Sequence, residues 1–224
     1  MSGNLQKLVQ AEGIFEILDF EFIPWGNAYY NTSECGRPLY PTDNETWSTG
    51  YNSDAKQCWI KQCQADKSKC FASDTVVCQH GYNECAVDTI EACAMKYYPD
   101  PQVYVPFVDC FEGVLVNELV NTTSAPGLVP QLGALCAAKQ GLDWAAVDAC
   151  FKGPEGEALD QENAYRTAVL KPEHQYTPWV TINGQPQLFP EDDDSDYNPL
   201  DYLLEWVCGN YTGSASLPAG CKSV

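Results

Sequence analysis

The amino-acid sequence predicts an α/β domain with a helical insertion, on three observations. A helical repeat near the start runs into a β-forming alternation, a series of short helical segments fills residues 102–170, and strand character returns at Trp179–Asn183. Leu5, Leu8 and Val9 have helical spacing and predict a helix over Leu5–Glu12. Phe15–Ile23 is rich in β-formers, and Phe20 and Phe22 alternate with Asp19 and Glu21, which predicts a strand with one apolar face. From Pro24 to Ser73 the chain is rich in Asn, Ser, Thr, Tyr and Cys, so a long, disulfide-stapled surface loop is expected at about 24–73. Thr75–Cys78 predicts a short strand. After Gly81, residues Cys85, Thr89, Cys93 and Lys96-Tyr97 recur at helical spacing, which puts two cysteines on one helix face. Gln102–Val120, Pro130–Lys139, Asp143–Phe151 and Glu157–Leu170 predict successive helices, with Asp143 an N-cap whose carboxylate can accept from free backbone N–H groups. Gly184 then turns the chain, and Leu200–Val207 predicts a terminal helix. No internal repeat is present, and 224 residues suit a single domain over 1–224.

Composition sets the compartment and excludes several functions. Twelve cysteines form an even, dense set, and such sets persist as disulfides in an oxidising secretory compartment. A zinc site fits less well, because structural zinc favours closely spaced Cys pairs and only two His are present. Four acceptor sequons, at Asn31, Asn44, Asn121 and Asn210, agree with a secreted glycoprotein. A formal net charge of −19 argues against nucleic-acid binding. The acidic run Glu191–Asp196 reads as a solvated loop, not a calcium site. No run of eighteen apolar residues predicts a membrane span, and Met1–Phe20 lacks the pattern of a signal peptide.

Three ordered stretches are more specific than composition. The first is Phe22-Ile23-Pro24-Trp25-Gly26-Asn27-Ala28. The second is Cys78-Gln79-His80-Gly81-Tyr82-Asn83-Glu84-Cys85 with Cys93 eight residues on. The third runs from Asn163-Ala164-Tyr165-Arg166-Thr167 through Leu170, Pro172 and His174 to Tyr176–Gly184. Together they resemble the gamma-interferon-inducible lysosomal thiol reductase (GILT) family over roughly residues 14 to 221, with Cys35–Phe71 standing as an insertion. Asp88 and Thr177 depart from the usual Asn and Val of that pattern.

The resemblance implies a thioredoxin-like fold with a helical insertion. It also implies reduction of protein disulfides in a lysosomal or secreted setting, with a small-thiol or protein reductant and no cofactor. In that family a Cys-x-x-Cys pair ends the first strand. A thiolate at a helix N-terminus is stabilised by the helix dipole, attacks the substrate disulfide, and is resolved by the second Cys one turn away. The closest cysteine spacing here is Cys58 to Cys63, so these residues contain no Cys-x-x-Cys. The expectation is that the true start lies upstream of Met1, with a signal peptide, the first strand and the redox pair. An inner strand that is missing would leave backbone groups unpaired on its neighbours.

By the same resemblance Thr177 and Pro178 form the cis-proline corner that faces the redox pair and presents backbone to an extended substrate. Without it, Pro178 reads as a trans proline opening an edge strand. His80 and Glu84 are of the types that serve as a general base and its partner. Gln79, His80 and Glu84 are read instead as hydrogen-bonded residues fixing a strand-to-helix corner, and His174, in a polar loop before Pro178, is read with the same caution.

Among the cysteines, Cys136 with Cys150 would staple adjacent helices and Cys208 with Cys221 would anchor the tail, a closure of about fifteen residues being worth about 3 kcal/mol. Cys78, Cys85, Cys93 and Cys110 are expected to form two further bonds, and Cys35, Cys58, Cys63 and Cys70 another two, with connectivity left open. Cys35-Gly36-Arg37-Pro38 has the look of a redox motif but is read as part of a stapled loop. Two function classes remain: a thiol–disulfide oxidoreductase, and a non-catalytic, disulfide-stapled secreted glycoprotein that binds polypeptides. Sequence upstream of Met1 discriminates them.

Overall fold

The structure, a computed structural model, describes residues 2–35, 51–73, 75–119, 127–186 and 202–223. These residues form a mixed fold that is mostly helical. In chain order they give α1 (Ser2–Gln10), β1 (Tyr29–Tyr30), α2 (Ser53–Ala65), β2 (Val76–Val77), α3 (Tyr82–Tyr97), α4 (Pro101–Leu119), α5 (Leu128–Gln140), α6 (Trp144–Phe151), α7 (Pro154–Ala168), β3 (Thr181–Ile182), β4 (Gln185–Pro186) and α8 (Leu203–Asn210). Strand β1 pairs antiparallel with β2, Tyr29 opposite Val77, and β3 with β4, Thr181 opposite Pro186. Among the described residues these are two separate two-stranded sheets.

Two apolar cores result. The larger lies where α1, α3, α4, α5, α6 and α8 meet, around Leu8, Val9, Ile90, Phe107, Phe111 and Val147, each at most 1% exposed. The second is aromatic and joins the Cys-rich region to α7. Trp25 stacks on Tyr30 at 5.6 Å, Trp59 tilts against both, and Phe71 meets Tyr30 edge-on at 5.2 Å. Indoles bury large area but carry one donor that must be matched. Trp25 Nε1 donates to the Ala28 carbonyl and Trp59 Nε1 to the Cys70 carbonyl, both at 2.9 Å.

The structure corrects three expectations. Phe15–Ile23 forms no strand: a 3₁₀ turn covers Ile14–Glu16 and the rest is irregular. The alternation still decides burial, since Phe20 and Phe22 are half-buried against the larger core while Asp19 and Glu21 are exposed. A strand needs a ladder partner as well as an apolar face, and none of the described backbone pairs with this segment.

The 24–73 region is not a surface loop in its described part. It contains β1 and α2, and α2 buries Ala55, Lys56, Trp59, Ile60 and Cys63. Asn52 caps α2 by accepting from the N–H groups of Asp54 and Ala55 at 3.0 and 3.2 Å.

Third, Cys136 does not bond Cys150. The bonds are Cys93–Cys150 and Cys110–Cys136, which join α3 to α6 and α4 to α5, helices that are neighbours in space. The remaining pairs are Cys35–Cys58, Cys63–Cys70, Cys78–Cys85 and Cys208–Cys221. All twelve cysteines are thereby paired. The Cys93–Cys150 bond spans 57 residues, for which loop entropy gives about 4 kcal/mol.

Helix α3 carries Glu84, Asp88 and Glu91 at spacings of four and three, with Asp160 of α7 and Glu112 of α4 close by. Glu91 is 1% exposed, and Glu91 Oε1 and Asp160 Oδ1 have no hydrogen-bond partner among the described residues. Burial, reinforced by the neighbouring carboxylates, pushes Asp88 and Glu91 well above the ordinary range. Burial likewise raises Glu112 and pushes Asp160 up to about 7. A protonated Asp160 also fits its surroundings: it can donate to Thr89 Oγ1, 2.7 Å away, while that hydroxyl donates to the Cys85 carbonyl at 3.0 Å.

A raised carboxyl holds its proton in the folded chain between about pH 4 and its folded pKa while the unfolded chain releases it. The stability it contributes is therefore complete below about pH 4 and lost as pH rises through about 7 for Asp160. His174, lowered to about 4, has the opposite sign and costs stability as pH falls from 6.5 to 4. With four carboxyls against one imidazole, the urea midpoint should be higher at pH 5 than at pH 7.5, and Asp160→Asn should narrow that difference. An equal or lower midpoint at pH 5 contradicts it.

Candidate functional site

All three stretches that carry the family resemblance meet at the side chain of Asn27. Gly26 makes this possible: its φ of +56° lies in the left-handed region that side chains disfavour, and it turns the chain just after the buried Trp25. Asn27 Nδ2 then donates to Gln79 Oε1 of the Cys78–Cys85 stretch at 2.8 Å and approaches Thr177 Oγ1 at 3.5 Å. Helix α7 ties the same junction from behind. Asn163 Nδ2 donates to the Pro24 carbonyl at 3.3 Å, and Arg166 pairs with Glu21.

Beneath Asn27 lies a buried cation. Lys56, on α2, is 6% exposed and His174 3%. Lys56 Nζ is 2.7 Å from Asn27 Oδ1 and 3.0 Å from His174 Nε2. Burial lowers Lys56 to about 8 against the opposing pull of Glu173. Burial, and then the Lys56 charge, lower His174 to about 4. Between these values the pair is an ammonium and a neutral imidazole. The ammonium donates to Asn27 Oδ1, His174 Nε2 lies 3.2 Å from that same oxygen, and His174 Nδ1 has no partner among the described residues. Tyr51 closes the far side by donating to the Asn27 carbonyl at 3.0 Å.

The signature corner is built separately. Gly81, at φ +96° and ψ −173°, caps α3 in a conformation essentially reserved for glycine. The Glu84 carboxylate reaches back to accept the His80 N–H at 2.7 Å and contacts His80 Nδ1 at 3.2 Å. A carboxylate in a first helical turn is favoured by the helix dipole as well as by the donor it satisfies. The Cys78–Cys85 disulfide ties this turn to β2. The Thr177–Pro178 bond is cis, as is Lys171–Pro172. Tyr176 and Trp179 flank that corner edge-to-face at 5.1 Å, with Tyr176 39% exposed.

Thr177, Pro178 and Gln79 are thus brought together, with Cys78, Cys85, Gly81, His80 and Glu84 forming the adjoining corner. Cys93, Cys110, Cys136 and Cys150 lie in the larger core, and Cys208–Cys221 holds the tail. Asn31 follows β1 and Asn210 ends α8, where its side chain donates to the Trp206 carbonyl at 2.9 Å. Asn44, Asn121, Gly36–Pro38 and the run 191–196 lie outside the described residues, as does Leu200. Lys56 and Tyr51 were hidden inside the supposed loop; the Asn52 cap followed by Trp59, Ile60 and Cys63 is the signal that could have revealed α2. No three His, Cys, Asp or Glu are grouped to hold a metal among the described residues, and no described helix is long and apolar enough to cross a membrane.

Two of the three stretches that meet here lie within the sequence model of a thiol reductase family. The sequence model described as gamma interferon inducible lysosomal thiol reductase (GILT) matches residues 1–126, more than half of the chain. The chain belongs to the GILT family. It is 32% identical over 149 residues to a gamma-interferon-responsive lysosomal thiol protein of Arabidopsis thaliana, covering 66% of this chain and 54% of that protein. It is 33% identical over 147 residues to the gamma-interferon-inducible lysosomal thiol reductase of Carassius auratus, covering 66% and 51%. The protein of that name from Mus musculus is 29% identical over 147 residues, covering 66% and 50%. The chain spans about half the length of these relatives.

The ammonium–imidazole contact gives a direct test. Lys56→Met removes the charge that helps to hold the imidazole neutral, so His174 should titrate above its value of about 4 and move toward 6.5. With only two histidines in the chain, NMR titration resolves the shift. An unmoved midpoint would show that Lys56 does not act on His174.

Proposed function

We propose that this chain is the substrate-facing body of a thiol–disulfide oxidoreductase that reduces protein disulfides in a lysosomal or secreted setting. In this reading residues 1–224 form one thioredoxin-like domain with a helical insertion. The observation that carries it is the convergence on Asn27 of the three family stretches, which sets Thr177 and Pro178 beside Gln79 at the signature corner. Thr177 and Pro178 would present backbone to an extended substrate. Reduction requires a thiolate nucleophile. All twelve cysteines of this chain are in disulfides, so the nucleophile would come from a Cys-x-x-Cys on residues ahead of α1. The reductant would be a small thiol or a protein dithiol, with no cofactor and no nucleic acid involved. Sugars on Asn31, Asn44, Asn121 and Asn210 fit a secretory route.

That same full pairing favours a second reading: a disulfide-stapled secreted glycoprotein that binds polypeptides without reducing them. One experiment separates the two. The native transcript is sequenced above Met1, and the chain it encodes is assayed with a small-thiol reductant on a denatured, disulfide-bonded protein. The first reading expects an in-frame Cys-x-x-Cys and turnover that is lost when either added Cys becomes Ser. A native chain with no such pair, or with a pair but no turnover, leaves the binding protein.

A further inference from the structure

We propose that the Cys35–Cys58 disulfide is a thiol-exchange site, opened preferentially by small anionic thiols that dock in the lysine-flanked cleft beside Cys58. This is independent of whether the chain reduces protein substrates.

Exposure distinguishes this bond. In each of the other five disulfides at least one cysteine is buried: Cys63 and Cys70 at 1% and 0%, Cys78 at 5%, Cys93 and Cys150 at 0% and 2%, Cys136 at 0%, Cys208 and Cys221 at 8% each. Cys35 and Cys58 are both half-buried. Exchange needs in-line approach of a thiolate to sulfur, so access sorts the six bonds before chemistry does.

The surroundings add a docking site. A cleft of about 560 Å³ runs along one face of α2 and is lined by Asp54, Gln57, Cys58, Lys61, Gln62 and Lys69, with Ala65. Asp54, Cys58, Lys61, Gln62 and Ala65 fall at helical spacing on one face, and Lys69 enters from the 3₁₀ turn after the helix. The lining itself carries two ammonium groups and one carboxylate, and acid stands at its rim, where Glu34 accepts from Gln62 at 2.9 Å and Asp66 feels the charge of Lys69, so Lys61 and Lys69 are the groups that favour an anion there. No salt bridge among the described residues engages Lys61 or Lys69. Nearby cations do two things for exchange: they attract an anionic thiol and they stabilise a departing thiolate.

The step balances without a further reagent. A thiolate RS⁻ attacks Cys58 Sγ; the Cys58–Cys35 bond breaks, a Cys58–SR mixed disulfide forms, and Cys35 leaves as thiolate. A second RS⁻ attacks the mixed disulfide and releases RSSR and the Cys58 thiolate. Two thiolates are oxidised, one protein disulfide is reduced by two electrons, and the two cysteine thiolates take protons from solvent.

The test uses the intact chain and reduced glutathione as the anionic probe. After limited exposure the protein is acid-quenched, alkylated with N-ethylmaleimide and peptide-mapped. The expected result is modification of Cys35 and Cys58 before the other ten cysteines, with the glutathione adduct on Cys58. Lys61→Gln with Lys69→Gln should slow opening by glutathione about fivefold at low salt, the order expected from one close charge pair in water. Opening by neutral 2-mercaptoethanol should stay within about twofold. Another disulfide opening first, all six opening together, or equal slowing for both thiols would overturn the proposal; the wild-type map decides even if the double variant fails to fold.

Discussion

Helix α3 is fixed covalently at two levels, and the rest of the structure is arranged around that constraint. Its first turn is tied to the end of β2 by Cys78–Cys85, and about two turns further on Cys93 is tied to α6 by Cys150. A helix so held cannot slide or rotate to relieve an unfavourable neighbour. That is what allows it to carry Asp88 and Glu91 in a setting that disfavours their charge, with Asp160 packed against the same face. Without such fixing, desolvated carboxyls would turn out to water at modest cost. The disulfides therefore do more than close loops: they hold a buried acidic face in place, and that face favours the protonated, mildly acidic state of the protein.

The other organising feature is a single polar side chain. Asn27 has one amide to share and uses both ends, donating to Gln79 and accepting from Lys56, while its carbonyl accepts from Tyr51. Three segments distant in sequence are thereby set in register by hydrogen bonds, each with a directional demand that apolar packing lacks. The aromatic core around Trp25, Tyr30 and Trp59 supplies the adhesive area nearby, but area alone would leave the corner free to slip. Through Asn27 this division also reaches the cis Thr177–Pro178 corner, whose Thr177 hydroxyl lies 3.5 Å from the Asn27 amide.

Much of this was legible in the chain. The helices α3 to α7 were readable from their helical spacing, with Asp143 capping α6 as expected, although α7 begins at Pro154 and not at Glu157. The corner at Gly81 was readable as a hydrogen-bonded one: Glu84, read with Gln79 and His80 as fixing it, accepts the His80 N–H. What failed depended on partners. Phe15–Ile23 has the alternation of a strand and the burial to match, yet pairing is a property of two segments. The helix α2 was hidden because its buried face includes Lys56, Cys63 and Ala55, residues that look like loop composition until the fold supplies Asn27 and His174 to receive the ammonium.

The disulfide error has the same origin. Cys136 and Cys150 lie close in sequence, and the loop-entropy estimate is smaller for short closures than for long ones. Connectivity is set instead by which helix faces meet, and α3 lies against α6 as α4 lies against α5, with Cα separations of 5.9 and 5.7 Å at the two bonds. The bonds join helix faces that the apolar core also brings together, and the longer closure, Cys93–Cys150, restricts the unfolded chain most of the two. The same reasoning explains why Cys35–Cys58 stands apart: it fastens the edge of the aromatic core, where the sulfurs remain within reach of solvent.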